Sequence, residues 1–185
     1  TFIQDDALAL QVSPAEPVHR IVNGSQIVTR RRDILYGSFR AQIEPATSRG
    51  AGAAFKFSAA YNDSETVNIG VFTSDNPENS TLQWSWSTYG HGDEPVKLNI
   101  SSLGTDDYLE HRFDWQPELL QWRNAATNET ANFHSVQKGV NASHLPITPM
   151  PISFQAWSNG EHSQSQGPPR RDPLLTHVRY ARFFF

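Results

Sequence analysis

Cysteine is absent from this chain of 185 residues. Without a thiol the chain can form neither a disulfide nor a thiolate metal site, and it cannot use a cysteine nucleophile. The seven histidines show no ligand spacing such as His-x-x-x-His, so metal catalysis is not predicted. Zinc ribbons and thiol enzymes are therefore excluded, and no catalytic cofactor is expected.

Positive charge and long apolar runs are also scarce. Lys and Arg number 15 against 19 Asp and Glu, which gives a net charge of −4, and no basic run exceeds 30-RRR-32. Nucleic acid is therefore not an expected partner. Apolar runs reach only a few residues, far below the roughly 20 needed to cross a bilayer, and no charged-then-apolar signal segment precedes Thr1. We predict a soluble protein, given in mature form, with no membrane partner.

Helix-forming stretches are scarce as well, and the only one, near the N-terminus, is weak. Segments that alternate or run apolar over strand lengths lie at 18–29, 35–44, 53–61, 66–72, 82–89, 96–100, 109–115, 119–124, 151–157 and 177–185. Proline clusters mark loops between them, and Asn23-Gly24 is a two-residue hairpin signal. This pattern predicts one all-β domain over residues 1–185, an antiparallel sandwich or barrel.

Six Asn-x-Ser/Thr triplets are the most frequent short motif. A triplet of this kind arises by chance in any chain rich in Ser and Asn, but six together favour a secreted glycoprotein, extracellular or in a cell wall. The triplets begin at Asn23, Asn62, Asn79, Asn99, Asn128 and Asn141.

The stretch 64-SETVNIGVFTSD-75 alternates apolar and non-apolar residues. Val67, Ile69 and Val71 share one face of the predicted strand, and Thr66, Asn68 and Gly70 share the other. A slip of one residue would turn the three apolar side chains outward, at about 1.5–3 kcal/mol each, so the register is predicted to be fixed.

Five pieces of the chain, in this order, resemble glycoside hydrolase family 16. They are 35-LYGSFRAQIEPA-46, 50-GAGAAFKFSAAYNDSETVNIGVFTSD-75, 111-HRFDWQPELLQWRN-124, 152-ISFQAWSNG-160 with 167-GPP-169, and 178-VRYARFF-184. The resemblance covers roughly residues 27–185 and is strongest to secreted fungal members. It implies a concanavalin A-like jelly roll of two curved antiparallel sheets, with a glycan lying across the concave face.

The resemblance also implies what chemistry is missing. In the family one strand carries Glu-x-Asp-x-Glu, which projects a nucleophile, an assisting acid and an acid/base group into the cleft. The aligned residues here are Thr66, Asn68 and Gly70. A threonine without an adjacent base is a feeble nucleophile, an asparagine has no charge, and a glycine has no proton to donate. The family mechanism is therefore not expected at this strand.

Other acids provide alternatives. Glu65 would point into the cleft only if a bulge near residues 62–64 turned it there. Otherwise we expect it to be a solvated acid at the start of a strand. Glu161 and His162, in a loop that lies near the substrate in the family, are the better candidates for a relocated site. Asp114 is a third candidate. The resemblance also allows a structural calcium ion on the convex face, bound by carbonyl and carboxylate oxygens.

Aromatic residues bear on whether a sugar is bound. Trp157 aligns with the tryptophan of the family's W-x-x-G segment and is the first candidate platform for a sugar ring, with core packing as the alternative. Tyr61, Asn159 and Glu161 complete the predicted binding set with Thr66 and Asn68. Trp84 and Trp86 lie beside Leu82 on one face and are expected in the core. The second tryptophan of relatives is replaced by Gln164.

Three hypotheses follow for the function. The leading one is a lectin-like binder of β-glucan or a related cell-wall polysaccharide. The second is an active hydrolase or lyase with a site rebuilt around Glu161 and His162. The third is a structural or interaction module.

Overall fold

The structure, a computed structural model, describes residues 1–14, 22–44, 54–72, 81–89, 95–99, 108–124, 128–134, 145–158, 169 and 172–185. Within these ranges thirteen β-strands form and no helix does. The first seven strands are β1 (Phe2–Gln4), β2 (Ala7–Val12), β3 (Ser25–Val28), β4 (Gly37–Glu44), β5 (Ala54–Asn62), β6 (Glu65–Phe72) and β7 (Thr81–Ser87). The remaining six are β8 (Val96–Asn99), β9 (Leu109–Trp115), β10 (Leu119–Asn124), β11 (Thr130–His134), β12 (Ile152–Trp157) and β13 (Leu174–Phe184). Nothing in these ranges forms a helix able to span a lipid bilayer.

The strands build two antiparallel sheets. One has seven strands in the order β1-β2-β13-β4-β9-β10-β11, and the other has six in the order β3-β12-β5-β6-β7-β8. The strands β5, β6 and β7 pair with their sequence neighbours, whereas β12 inserts between β3 and β5 from almost the far end of the chain. This layered antiparallel order confirms the predicted sandwich and rules out the alternative of a closed barrel for the described strands.

Aromatic rings from both sheets form the centre of the core. Phe39 and Phe113 of the seven-stranded sheet stack with centroids 4.9 Å apart, and Phe57 of the six-stranded sheet lies 5.1 Å from Phe113. Phe57 in turn stacks on Phe154 at 4.8 Å. Offset and tilted contacts of this kind add roughly 0.5–1.5 kcal/mol per pair beyond the area they bury. They hold the two sheets in one fixed relation, which positions β5 and β6 at the centre of the smaller sheet.

The sequence predicted most strands but missed three. The weak helical stretch near the N-terminus is wrong, because residues 2–4 and 7–12 form β1 and β2, which pair with each other and with β13. Strand β11 was also missed, since its five residues pair only with β10 at the sheet edge and carry little alternation. Predicted strands 109–115 and 119–124 match β9 and β10 in full.

The Asn23-Gly24 hairpin signal has a different explanation in the structure. Neither residue has a positive φ, which a type I′ turn would require at both positions. A β carbon on Gly24 would instead lie 2.4 Å from the carbonyl oxygen of Ala156. Glycine is needed here because the backbone entering β3 passes very close to β12. The residues that would form the first half of the predicted strand, 18–21, lie outside the described ranges.

Candidate functional site

Strand β6 presents two distinct faces. Val67, Ile69 and Val71 are fully buried in the core between the sheets, so the predicted register is confirmed. Thr66, Asn68 and Gly70 alternate with them and lie on the opposite side, the outer face of the six-stranded sheet. We call this outer face the Asn68 face.

Two rows of mostly polar residues cross the Asn68 face from strand to strand. The row through Asn68 consists of Val28, Ser153, Ser58, Asn68 and Ser85, which are register partners on β3, β12, β5, β6 and β7. The neighbouring row consists of Gln26, Gln155, Lys56, Gly70, Gln83 and Lys97 and includes β8. The Oγ atoms of Ser58 and Ser153 lie 2.9 Å apart, within hydrogen-bonding distance. Hydroxyl and amide groups therefore make up most of this surface.

Asn68 takes part in three hydrogen bonds with described residues. Its Nδ2 donates to Thr66 Oγ1 at 2.8 Å and to Ser85 Oγ at 3.4 Å. Its Oδ1 is buried and accepts no hydrogen bond, although the residue is only 9% exposed. From the core side the indole Nε1 of Trp122 donates to the backbone oxygen of Asn68 at 3.1 Å. The side chain is thus held in place, with one acceptor oxygen that is buried and unpartnered.

Gly70 and Phe72 share a single volume on the same face. A β carbon on Gly70 would lie 2.9 Å from Cε2 of Phe72 and 3.4 Å from its Cζ. The edge of the Phe72 ring therefore occupies the space into which a side chain at position 70 would project. An acidic side chain could enter only if the ring rotated away.

Trp157 lies at the end of β12, on the Asn68 face rather than in the core. It pairs with Ala54 of β5, and Ala54 pairs with Phe72 of β6. Trp157 and Phe72 are both half-buried, with the small Ala54 between them. This row places two aromatic side chains along one end of the polar surface. Trp84 and Trp86 are buried in the core, as expected.

Tyr61 lies at the other end of β5, where the strand is irregular. The register with β6 shifts between Ala60 and Asn62, which makes Tyr61 the extra residue of a β-bulge, and its side chain is 62% exposed. Asn62 Oδ1 accepts hydrogen bonds from the backbone N–H groups of Ser64 and Glu65 and closes the turn that follows. The predicted bulge near residues 62–64 therefore exists, but it belongs to β5.

Glu65 is neither solvated nor aimed at the Asn68 face. It remains in register on β6 with the same parity as Val67, so it points to the core side of the sheet. The residue is 4% exposed, and neither carboxylate oxygen has a hydrogen-bond partner. Both sequence interpretations of Glu65 are wrong, because the bulge in the partner strand left the direction of β6 unchanged.

No described residue of the six-stranded sheet brings a carboxylate to the Asn68 face, and the charged groups of its two rows are Lys56 and Lys97. Burial lowers the pKa of the Lys56 ammonium, and attraction to Asp63 partly opposes that shift. Among the described residues no group of three or more His, Asp or Glu is placed to hold a metal ion.

The other candidate acids do not come together with these residues. Asp114 lies on the outer face of the seven-stranded sheet, where its carboxylate pairs with Arg112 at 2.6 Å. His111, which precedes Arg112 on β9, points into the core, and its burial lowers its pKa to about 4. Three further predicted residues, Asn159, Glu161 and His162, lie outside the described ranges, as does Gln164.

Three of the six predicted glycosylation positions have described side chains, and all three are exposed. These are Asn23, Asn62 and Asn128. Asn99 lies in β8, and Asn79 and Asn141 fall outside the described ranges.

Sequence reasoning missed Lys56, Ser58, Phe72 and Ser153 as members of the face. Their alternation within β5, β6 and β12 is visible in the sequence and shows which side of each strand they occupy. What it does not show is that β12 pairs with β5, which brings Ser153 beside Ser58 across 95 residues of chain.

Comparison with known proteins agrees with the family resemblance seen in the sequence. The family model described as glycosyl hydrolases family 16 matches residues 2–181. No curated protein matches the chain in sequence. Residues 2–26, which the sequence resemblance had left out, are included in the family match.

Solved structures match over nearly the whole chain. A β-1,3-1,4-glucanase (lichenase) from a mouse hindgut metagenome has a TM-score of 0.74 at 16% identity, covering 98% of this chain and 81% of that one. The Bacillus licheniformis β-glucanase has a TM-score of 0.72 at 18% identity, with 97% and 78% covered. A laminarinase catalytic domain from Thermotoga petrophila has a TM-score of 0.72 at 11% identity, with 99% and 79% covered. These matches confirm the predicted jelly roll of two curved antiparallel sheets.

Proposed function

The chain belongs to glycosyl hydrolases family 16, and from this premise we propose that it is a secreted glycoprotein that binds β-glucan or a related cell-wall polysaccharide without cleaving it by the family mechanism. The glycan lies along the Asn68 face, in contact with Thr66, Asn68 and Trp157. Tyr61 extends the contact at the far end of β5.

The proposed loss of cleavage rests on one observation, the lack of carboxyl groups on the described part of the Asn68 face. A retaining glycosidase needs two carboxyl groups about 5–5.5 Å apart, one as nucleophile and one as acid/base. Thr66, Asn68 and Gly70 supply none on β6, and the described strands on either side add only Ser, Gln, Thr, Ala and Lys near them. The one acid of β6, Glu65, faces the other way.

The same face has the features of a sugar-binding surface. Sugars present hydroxyl groups at their edges and apolar C–H faces, so their sites combine fixed polar groups with aromatic rings. On the same face the half-buried Ser85, Gln83 and Gln155 carry hydroxyl and amide groups that can form hydrogen bonds with sugar hydroxyls. Trp157 and Phe72 offer apolar surface at the end of the polar rows.

The ligand class rests on the structural relatives. One Bacteroides ovatus relative, with a TM-score of 0.66 at 13% identity, is a mixed-linkage glucan enzyme in complex with a G4G4G3G product. Secretion rests on the triplets, because Asn23, Asn62 and Asn128 are all exposed and therefore accessible to a glycosyltransferase.

The test combines cleavage and binding on the same panel of laminarin, lichenan, cello-oligosaccharides, chitin and galactan. We expect no released sugar and saturable binding to at least one β-glucan. Trp157→Ala should weaken that binding by about tenfold, as the loss of one stacked ring predicts. Phe2→Ala, which removes an exposed ring on the seven-stranded sheet, is the matched control and should leave binding unchanged.

Release of sugar that Glu161→Gln abolishes would replace this proposal by a relocated active site. Absence of binding to every glycan would instead favour an interaction module. Equal binding by the parent and Trp157→Ala would remove Trp157 from the site.

A further inference from the structure

Four arginines form a single row across the outer face of the seven-stranded sheet. Arg182 of β13 is the register partner of Arg40 on β4, Arg40 is the partner of Arg112 on β9, and Arg112 is the partner of Arg123 on β10. All four point away from the core, because each alternates with a buried neighbour or lies at an exposed position. At a strand spacing of about 4.8 Å the row spans roughly 14 Å.

Direct juxtaposition of like charges destabilises a sheet, so the row calls for a physical explanation. Compensation within the protein is partial. Asp114 pairs with Arg112 at 2.6 Å, and Glu110 accepts a hydrogen bond from the hydroxyl of Tyr180. These are the two carboxylates that the rows on either side bring to the arginines. Among the described register partners on β4, β9, β10 and β13, four guanidinium groups therefore lie beside two carboxylates, in a chain whose net charge is −4.

The contacts that the structure shows for the remaining arginines are with neutral groups. Nε of Arg40 is buried and has no hydrogen-bond partner. Nη2 of Arg123 donates to the neutral Oδ1 of Asn128 at 3.4 Å. Arg182 lies over the ring of Tyr180, 4.9 Å from its centroid, and Arg40 lies 6.0 Å from that of Phe184. These ring contacts orient the guanidinium groups without neutralising them.

We propose that this row is a second binding site, for the carboxylate or sulfate groups of an acidic polysaccharide. The guanidinium group is planar and binds such oxyanions through two parallel hydrogen bonds, each shorter and stronger than a neutral one. Four groups at the strand spacing form a line, which fits a linear chain that carries one anionic group on successive sugars. Tyr180 and Phe184 flank the line and offer apolar surface to the sugar rings.

The narrowness of the row selects this ligand over other polyanions. Asp114 and Glu110 border the arginines, so the positive surface is only one residue wide. A duplex with two phosphate backbones, or a lipid surface, would also meet those carboxylates and the negative net charge. The row lies on the opposite sheet from the Asn68 face, so this inference does not depend on the proposed function.

The experiment measures affinity for immobilised polygalacturonate and dextran sulfate at about 0.01 M and 0.15 M ionic strength, where the Debye lengths are about 30 and 8 Å. We expect the parent to bind, more weakly at the higher ionic strength. The double variant Arg123→Gln/Arg182→Gln removes the two exposed arginines and should lose tenfold or more in affinity. Its laminarin binding and its unfolding midpoint should be unchanged.

Arg30→Gln/Arg32→Gln is the matched control, since it removes the same charge from exposed residues between β3 and β4. It should lose less than about twofold, because screened charges off the row contribute little. Equal losses in the two double variants, or no binding of either polysaccharide by the parent, would overturn the proposal. Row-dependent binding to duplex DNA or phosphatidylserine vesicles, but to neither polysaccharide, would overturn the assigned ligand class.

Discussion

The edge of the Phe72 ring fills the space beside Gly70 that a side chain there would need, with Cε2 only 2.9 Å from the position of a β carbon. The two residues are two positions apart on β6 and lie on the same face. Gly70 and Phe72 therefore act as a pair. The missing side chain at 70 gives the ring its place, and the ring extends the aromatic edge that Trp157 begins.

This pairing predicts a stability coupling between the two positions. Gly70→Ala should lower the free energy of unfolding by about 1 kcal/mol, because the added methyl group forces the ring from its place. In a Phe72→Leu background the same substitution should be nearly neutral. A double-mutant cycle measured by urea denaturation checks this, and a coupling energy near zero would contradict the shared volume.

A second prediction concerns the hydrogen bond that supports Asn68 from below. Trp122→Phe keeps a buried ring but removes the indole hydrogen bond to the backbone oxygen of Asn68. We expect a loss of about 1–3 kcal/mol in the free energy of unfolding and weaker β-glucan binding, since the strand carrying Asn68 is less fixed.

Trp115→Phe is the control for that variant. It removes a similar buried bond, from Trp115 Nε1 to the Pro146 oxygen at 2.9 Å, which lies away from the Asn68 face. Its stability loss should be comparable, but its affinity for β-glucan should not change. Equal weakening of binding by both substitutions would mean that general loosening, rather than the position of Asn68, is responsible.

His111 should make the protein sensitive to mild acid. Burial lowers its pKa from 6.5 to about 4, so between these values the unfolded chain binds a proton that the folded chain does not. The contribution of neutral His111 to the free energy of unfolding is therefore complete above pH 6.5. As the pH falls toward 4, the free energy of unfolding decreases by up to about 1.4 kcal/mol per pH unit. His111→Leu should flatten the dependence, which urea titrations at pH 7 and pH 5 will show. An unchanged pH slope in the variant would assign the acid sensitivity to other groups.

The sequence predicted which side chains of a strand point into the core better than it predicted which strands pair with each other. The parity of Val67, Ile69 and Val71 is a local property of period two, and it placed Thr66 and Asn68 on the outer face. The pairing of Ser58 with Ser153 joins segments far apart in the chain, and no local pattern encodes it. The position of Phe72 over Gly70 depends on a rotamer, and the direction of Glu65 depends on which strand carries the bulge. In each of these cases tertiary contacts decide between conformations that the local sequence allows equally well.

Glu65 provides the last prediction, because burying polar oxygens without hydrogen-bond partners costs free energy. Both of its oxygens are buried and unpartnered, although its backbone N–H is satisfied by Asn62. Glu65→Met keeps a side chain of similar length and removes both unpartnered oxygens, so the free energy of unfolding should rise by about 1 kcal/mol. Asp63→Asn, which changes an exposed residue in the turn before β6, is the control. Its free energy of unfolding should stay within about 0.5 kcal/mol of that of the parent. A destabilised Glu65→Met variant would show instead that the carboxyl group has a favourable partner in the folded protein. Stability measured by urea denaturation, together with unchanged β-glucan binding, would establish that this acid takes no part in the Asn68 face.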